Sequence, residues 1–204
     1  MDYELKQYSS VDEFAKEEYM QMSSFHWESD PPYRPDCFCK IGIVNDSIVA
    51  FLKCYESDPR AVYENRDDPM YLDSCLELFV ACVKDRKEYV NVECNSKGAF
   101  LSEFGDGKYN RRLVADITSL SPEVCSFKGN DAKGAYWGVQ IALSNAFVRE
   151  IYELNSDFYF SDIRANFFKC GDDCEVQHYV AFAPVTTLPP GFHNPDCFVD
   201  FIKE

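Results

Sequence analysis

Alternation of apolar and polar side chains is the feature that most constrains this chain. Over residues 88–95, Val90, Val92 and Cys94 share one parity, and Tyr89, Asn91, Glu93 and Asn95 share the other. Over 73–81, Leu76, Leu78 and Val80 align, and Glu77 points the opposite way between Cys75 and Phe79. Over 135–143, Trp137, Val139, Ile141 and Leu143 align, which places Trp137 in a core. A period of two is the mark of a strand with one face buried. Further strand-like runs lie at 37–44, 48–55, 98–104, 111–116, 124–128, 162–169, 176–182 and 197–202. Asn45-Asp46-Ser47 separates two of them as a hairpin turn. Helical signals are few. Residues 9–22 carry a Ser10/Glu13 capping box and a stripe of Val11, Phe14, Tyr19 and Met22, and 144–154 opens on Ser144 as a cap. Many short strands joined by turns predict a mainly β fold, an antiparallel β-sandwich with a short N-terminal helix and one or two short additional helices. No repeat or linker divides residues 1–204, so one domain is expected, with 1–36 forming a helix and a proline-bearing extended arm that packs on it.

Composition narrows the function classes. The 17 Phe and 13 Tyr exclude a disordered or coiled-coil chain and suit pleated, half-buried surfaces. The net charge of −15, with no basic cluster, argues against nucleic acid and against an anionic membrane surface as partners. No run approaches the roughly 18 apolar residues of a membrane span. Residues 1–6 lack the apolar stretch of a signal peptide, and several of the ten cysteines (Cys75, Cys82, Cys94) sit inside apolar runs. Reduced thiols and a cytoplasmic location are therefore expected, with secretion following only where a leader has been removed. Cys37/Cys39 and Cys170/Cys174 are the closest cysteine pairs, and a structural zinc would need both together.

Asp73-Ser74-Cys75-Leu76-Glu77-Leu78-Phe79 resembles the D-S-x-x-E-x-F signature of family 9 carbohydrate-binding modules. The surrounding stretch 65–75, the block 89–95 followed by Gly98, the block 166–172 and the block 190–198 are similar, in order, to the stand-alone "family 9-like" proteins. The likeness runs from about Trp27 to Ile202. It implies a jelly-roll-like sandwich that holds a plant-polysaccharide-derived oligosaccharide or its chain end, in carbohydrate catabolism, with no cofactor required; the calcium bound by the better-known modules is structural. By position, the signature carboxylate falls on Glu77, the two aromatic walls on Met70 (with Tyr71 beside it) and Phe192, and the arginine and amide strand on Asn91 and Glu93. The family's arginine has no counterpart at its expected place, and Arg164 is the substitute.

A sugar presents hydroxyls and C–H faces, so it calls for an aromatic platform with Glu, Asn or Arg at its edge. Glu77, Asn91, Glu93, Arg164 and Asn166 converge if strands 73–81, 88–95 and 162–169 line one concave sheet. Asp67, Asp68, Asp172 and Asp173 are the candidate calcium ligands. Trp27 is expected to pin the N-terminal arm, and His178 to be a satisfied core histidine. No G-x-S-x-G, H-E-x-x-H or Gly-rich phosphate loop occurs. Two alternatives stand beside non-catalytic sugar binding. One is a glycoside-hydrolysing enzyme that uses Glu77 and Glu93 as its carboxylate pair; the other is a scaffold domain that has lost the sugar site.

Overall fold

The computed structural model describes residues 2–25, 27, 32–186 and 191–203. In chain order the elements are β1 (Tyr3–Glu4), β2 (Gln7–Tyr8), α1 (Val11–Phe14), β3 (Met20–Met22), β4 (Cys37–Val44), β5 (Ser47–Cys54), β6 (Cys75–Ala81) and β7 (Tyr89–Asn95). They continue with β8 (Phe100–Gly105), β9 (Arg111–Leu113), β10 (Glu123–Asp131), β11 (Gly134–Ser144), α2 (Asn145–Ile151), β12 (Ile163–Gly171), β13 (His178–Ala181) and β14 (Val199–Ile202). The strands form two sheets. An eight-stranded sheet runs β1-β14-β12-β6-β7-β8-β9, with β13 paired to β12, and a six-stranded sheet runs β10-β11-β5-β4-β2, with β3 paired to β4. The fold is the β-sandwich that the alternation predicts.

The main core lies between the sheets. Leu76, Leu78 and Val80 of β6, Val90, Val92 and Cys94 of β7, and Phe167 of β12 meet Ile41 and Ile43 of β4, Ala50 and Leu52 of β5, and Val139 and Ile141 of β11. Trp137 is buried there and donates its indole N–H to Glu56 Oε2 at 3.0 Å. The β4–β5 hairpin closes on Asn45 and Asp46, with Asn45 at a left-handed φ of 53° that asparagine tolerates. Ser144 caps α2 by accepting from Phe147 N–H at 3.2 Å.

The N-terminal expectation needs correction. In place of one helix over 9–22, α1 is a single turn and Met20–Met22 forms a strand on β4. Ser10 does accept from Glu13 N–H, but the Glu13 carboxylate returns to Ser9 N and Oγ. The helix stops because the buried Lys40 ammonium donates to the carbonyls of Phe14 (3.1 Å), Ala15 (2.7 Å) and Glu17 (2.9 Å). It also lies 4.4 Å from the centre of the Tyr19 ring. The ammonium satisfies carbonyls at the end of the turn, where Phe14 O also takes Glu17 N–H at 3.1 Å, so the chain can leave the helix there without orphaned acceptors. Nor does this segment merely pack on the sandwich. β1 pairs parallel with β14, β2 pairs parallel with β4, and Ser24 bridges Ala181. Of the expected arm, His26 and residues 28–31 lie outside the described residues.

Replacing Lys40 by Met keeps the apolar stem and removes three charge-assisted hydrogen bonds. The expected loss of unfolding free energy in urea is about 3 kcal/mol. A change within about 0.5 kcal/mol, the usual range for surface substitutions, would show that Lys40 does not anchor this segment.

Candidate functional site

The register of the eight-stranded sheet sets out side chains in rows on the face turned away from the main core. Phe168, Glu77, Glu93 and Leu101 are directly opposite one another across β12, β6, β7 and β8. The next row holds Asn166, Phe79, Asn91 and Glu103, and the row on the other side holds Cys170, Cys75 and Asn95. This outer face is covered rather than solvated. Loop 56–72 buries one end through a cluster of Met70, Cys75, Leu101 and Cys170. The segment 191–198 buries the other end together with Phe79, Tyr89, Phe168 and Val185.

Between the two covers lies a pocket of ≈ 630 Å³, bordered by Trp27, Tyr71, Glu77, Phe79, Glu93, Lys108, Cys170, Asp172, Tyr179, Phe192 and His193. Its size is that of a small-molecule site. One wall is a set of rings. Phe192 stacks on Phe168 with centroids 4.1 Å apart and planes 12° apart, and Trp27 lies 5.5 Å from Phe192 and edge-on to Tyr179 at 5.9 Å. His193 sits 4.8 Å from the Phe79 ring, and its Nδ1 is 2.9 Å from the Tyr89 hydroxyl. Burial holds the His193 imidazole down at about 3, with Arg111 and Lys108 adding to the effect, so the ring is neutral.

The floor is two adjacent carboxyl groups. Glu77 is 2 % exposed, and its Oε1 accepts from Cys170 Sγ at 2.9 Å. Burial pushes its pKa well up, helped by Cys170 and by Glu93. Glu93 Oε1 accepts from Asn91 Nδ2 at 2.9 Å, while its Oε2 is buried without a hydrogen-bond partner among the described residues. Burial raises Glu93 to about 7 against the opposing effect of the Asn91 hydrogen bond, and Glu103 raises it further. Behind Asn91 stands Arg111 of β9. Its guanidinium donates to Asn91 Oδ1, to Tyr89 O (3.3 Å) and to Glu103 O (3.0 Å), and lies 4.1 Å from the Tyr89 ring centre. Arg111 therefore orients Asn91, and Asn91 orients Glu93.

The expected site residues divide accordingly. Tyr71, Glu77, Glu93 and Phe192 border one pocket. Asn91 lies beneath the floor, fully buried, as a positioning residue. Met70 is not a wall: it is fully buried against Cys75, Leu101 and Cys170, and Tyr71, 42 % exposed, is the residue of that turn on the pocket. Arg164 and Asn166 are not on the pocket either. Arg164 donates to Pro195 O at 3.3 Å, and Asn166 holds Ala183 and Cys197 carbonyls at 3.1 Å each, so both tie the covering segment down. The sequence reading missed Trp27, Lys108, Tyr179 and His193 on the pocket, and Arg111 behind it. Tyr179 was accessible from parity, since it alternates with His178 and Val180. His178 is satisfied as expected, with Nδ1 on Val176 O at 2.7 Å and Nε2 on the buried Lys169.

The signature's Asp73 and Ser74 have structural work. Asp73 accepts from the N–H groups of Val62 and Tyr63 and from Asn95 Nδ2, each at 3.0 Å, and from the Arg60 guanidinium. Ser74 donates to Glu56 at 2.5 Å. The four aspartates expected to hold calcium do not gather. Asp67 takes Ser102 N–H (3.3 Å) and faces Arg66, Asp68 caps Asn65, Asp173 faces Arg60, and Asp172 borders the pocket. Among the described residues no three ligand atoms of these aspartates lie within 4.8 Å of one another. Nor do the two cysteine pairs meet. Cys37 and Cys39 lie in the core between the sheets, and Cys170 is on the outer face. Among the described residues, only Cys75, Glu77 and Cys170 bring three metal-ligating atoms within 4.8 Å of one another. No helix among them is long and apolar enough to cross a membrane.

Stability should report the raised Glu93. Below its ordinary value of 4.5 both folded and unfolded chains hold the proton; between 4.5 and about 7 only the folded chain does. The stability that goes with the bound proton is thus complete below that window and is lost as pH rises through it, by up to about 1.4 kcal/mol per pH unit. Glu77, also raised, adds a decline of its own. Glu93→Gln is expected to make the decline of urea-unfolding free energy from about pH 4.5 to 7 shallower. An unchanged slope in the variant would assign the whole effect elsewhere.

Comparison with known proteins gives a uniform picture. The family model described as carbohydrate-binding family 9 matches residues 7–202. A solved structure from Bacteroides uniformis ATCC 8492, of a protein named for an inferred carbohydrate-binding role, superposes with a TM-score of 0.79 at 21 % identity, covering 100 % of this chain and 99 % of that one. A family 9 carbohydrate-binding module from Caldicellulosiruptor kristjanssonii in complex with cellotriose is similar at a TM-score of 0.61 and 10 % identity, over 100 % and 94 % of the two chains. A module of the same family and organism in complex with glucose gives 0.55 and 11 %, over 100 % and 96 %. No curated protein matches this chain significantly.

Proposed function

The chain belongs to carbohydrate-binding family 9, and on that premise we propose that the pocket on the outer face of the eight-stranded sheet binds the end of a plant-polysaccharide-derived oligosaccharide and leaves it chemically unchanged. The observation that carries this reading is the union of a ring wall with a floor that has an unmet hydrogen-bonding need. Trp27, Phe192 and Tyr179 offer apolar faces against which sugar C–H groups pack. Glu93 borders the same space, its buried Oε2 has no hydrogen-bond partner among the described residues, and a hydroxyl reaching the floor supplies both donor and acceptor. Tyr71 and Asp172 add polar groups at the border, as does the Lys108 ammonium. The two carboxyl groups are direct neighbours on one floor. The C. kristjanssonii modules are in complex with cellotriose and with glucose, which makes β-linked glucose units the first ligands to try.

Calorimetric titration of glucose, cellotriose and a wider panel of plant-derived oligosaccharides should give one site per chain. Glu77→Ala and Phe192→Ala should each weaken binding at least tenfold, about 1.4 kcal/mol. Tyr159→Ala, an exposed ring away from the pocket, should bind as wild type. Absence of binding to every sugar in the panel would overturn the reading.

A further inference from the structure

Two cysteines and a carboxyl group meet at the pocket floor for a reason that lies in the register. Cys75 and Cys170 are directly opposite on β6 and β12, and Glu77, two residues after Cys75, shares their face. All three are buried, and their ligand atoms lie within 4.8 Å of one another. We propose that Cys75, Glu77 and Cys170 form a binding site for a thiophilic divalent cation, zinc, with its fourth coordination position open to the pocket.

The geometry needs little adjustment. Zinc bonds sulfur at about 2.3 Å and oxygen at about 2.0–2.2 Å, so ligand atoms around a tetrahedral ion stand about 3.3–3.8 Å apart. Cys170 Sγ and Glu77 Oε1 are now 2.9 Å apart, and the whole trio fits inside 4.8 Å. Two paired strands supply all three ligands, so the site needs no loop to close around the ion. Glu77 and Cys170 border the pocket and Cys75 lies behind them, which gives an entry path from one side and room for one exogenous ligand. Three protein ligands with one open position is the arrangement of a reactive zinc centre rather than a closed structural one. Two thiols and one carboxylate carry three negative charges when deprotonated. The ion offsets two of them, and the fully buried Lys169 ammonium, the ion-pair partner of Glu56 at 3.9 Å, acts on Cys170 at longer range. Burial raises all three groups, so they hold protons in the metal-free chain and release them on binding, which makes affinity rise with pH. The sulfur pair excludes calcium, which takes six to eight oxygens. The site shares Glu77 with the sugar pocket but does not rest on sugar binding.

The test titrates Co²⁺ into the reduced, chelator-stripped full chain. One equivalent should produce a sulfur-to-cobalt charge-transfer band and the intense visible bands of four-coordinate cobalt, and Zn²⁺ should bleach both. Cys75→Ser and Cys170→Ser should each cut cobalt affinity more than tenfold, while Cys125→Ser and Cys174→Ser leave it unchanged. A wild-type chain without the charge-transfer band, or a band that survives both Cys75→Ser and Cys170→Ser, overturns the proposal. Should those variants fail to fold, zinc-edge X-ray absorption of the wild type decides: two sulfur neighbours support the site and none removes it. Sugar titration of the chelator-stripped wild type is scored separately, so that failure of one reading does not carry the other.

Discussion

A pocket floored by two carboxyl groups can exist on the outside of a sheet only if that outside is itself covered. In most sandwiches the outer face is solvated and its polar residues are unremarkable. Here β6, β7 and β12 are buried on both faces, with Leu78 and Val92 in the main core and Glu77 and Glu93 under the covering loops. That double burial is the constraint on which the site depends. It removes water from the carboxyl groups, raises their pKa values and leaves a cavity where the two covers fail to meet.

The covers are held by polar anchors, since loops have few apolar contacts to spend. Asp73 gathers two backbone N–H groups, an amide and a guanidinium onto one buried carboxylate, which fastens loop 56–72 to the start of β6. Asn166 and Arg164 fasten the other cover from β12 by its carbonyls. Charged and amide groups buried in this way are costly unless satisfied, and nearly all of them are. Among the described residues the exceptions are three: Glu93 Oε2 at the floor, Arg111 Nε behind it, and Arg149 Nε on α2, which is not on the pocket. Residues that look like ligand-binding candidates from sequence therefore split by what they hold: Arg164 and Asn166 hold the protein, while Glu77 and Glu93 are left facing the space.

The strand layout and the face of every site residue on β6 and β7 were legible in the sequence, because parity is a local property. Glu77 and Glu93 could be placed on one face from 73–81 and 88–95 alone. What parity cannot see is the third dimension over that face. Met70 and Tyr71 are neighbours in a short turn, and which of them enters the core depends on Cys75, Leu101 and Cys170 coming together. Trp27 reaches the pocket through residues far away in sequence, and no local pattern separates a pinning ring from a lining ring. Arg111 opens the edge strand expected at 111–116, but nothing local says that its guanidinium reaches across the sheet to Asn91. The false helix over 9–22 has the same origin. Its apolar stripe is real, but the competing partner, Lys40, lies on another strand.

Glu77 belongs to two chemistries at once, and protonation separates them. Metal-free, burial keeps Glu77 and Glu93 toward the neutral form, so the floor can donate as well as accept, which suits an uncharged hydroxyl ligand beside rings. With a cation on Cys75, Glu77 and Cys170, the same floor loses its protons, Glu77 Oε1 turns from a thiol to the ion, and the open coordination position becomes the strongest acceptor site for an oxygen ligand. One pocket would then offer a sugar hydroxyl either a carboxyl group or a metal ion. Glu93, which is not a member of the trio, stays as the hydrogen-bonding partner in both states, because Asn91 and Arg111 hold it from behind, independently of the cysteines.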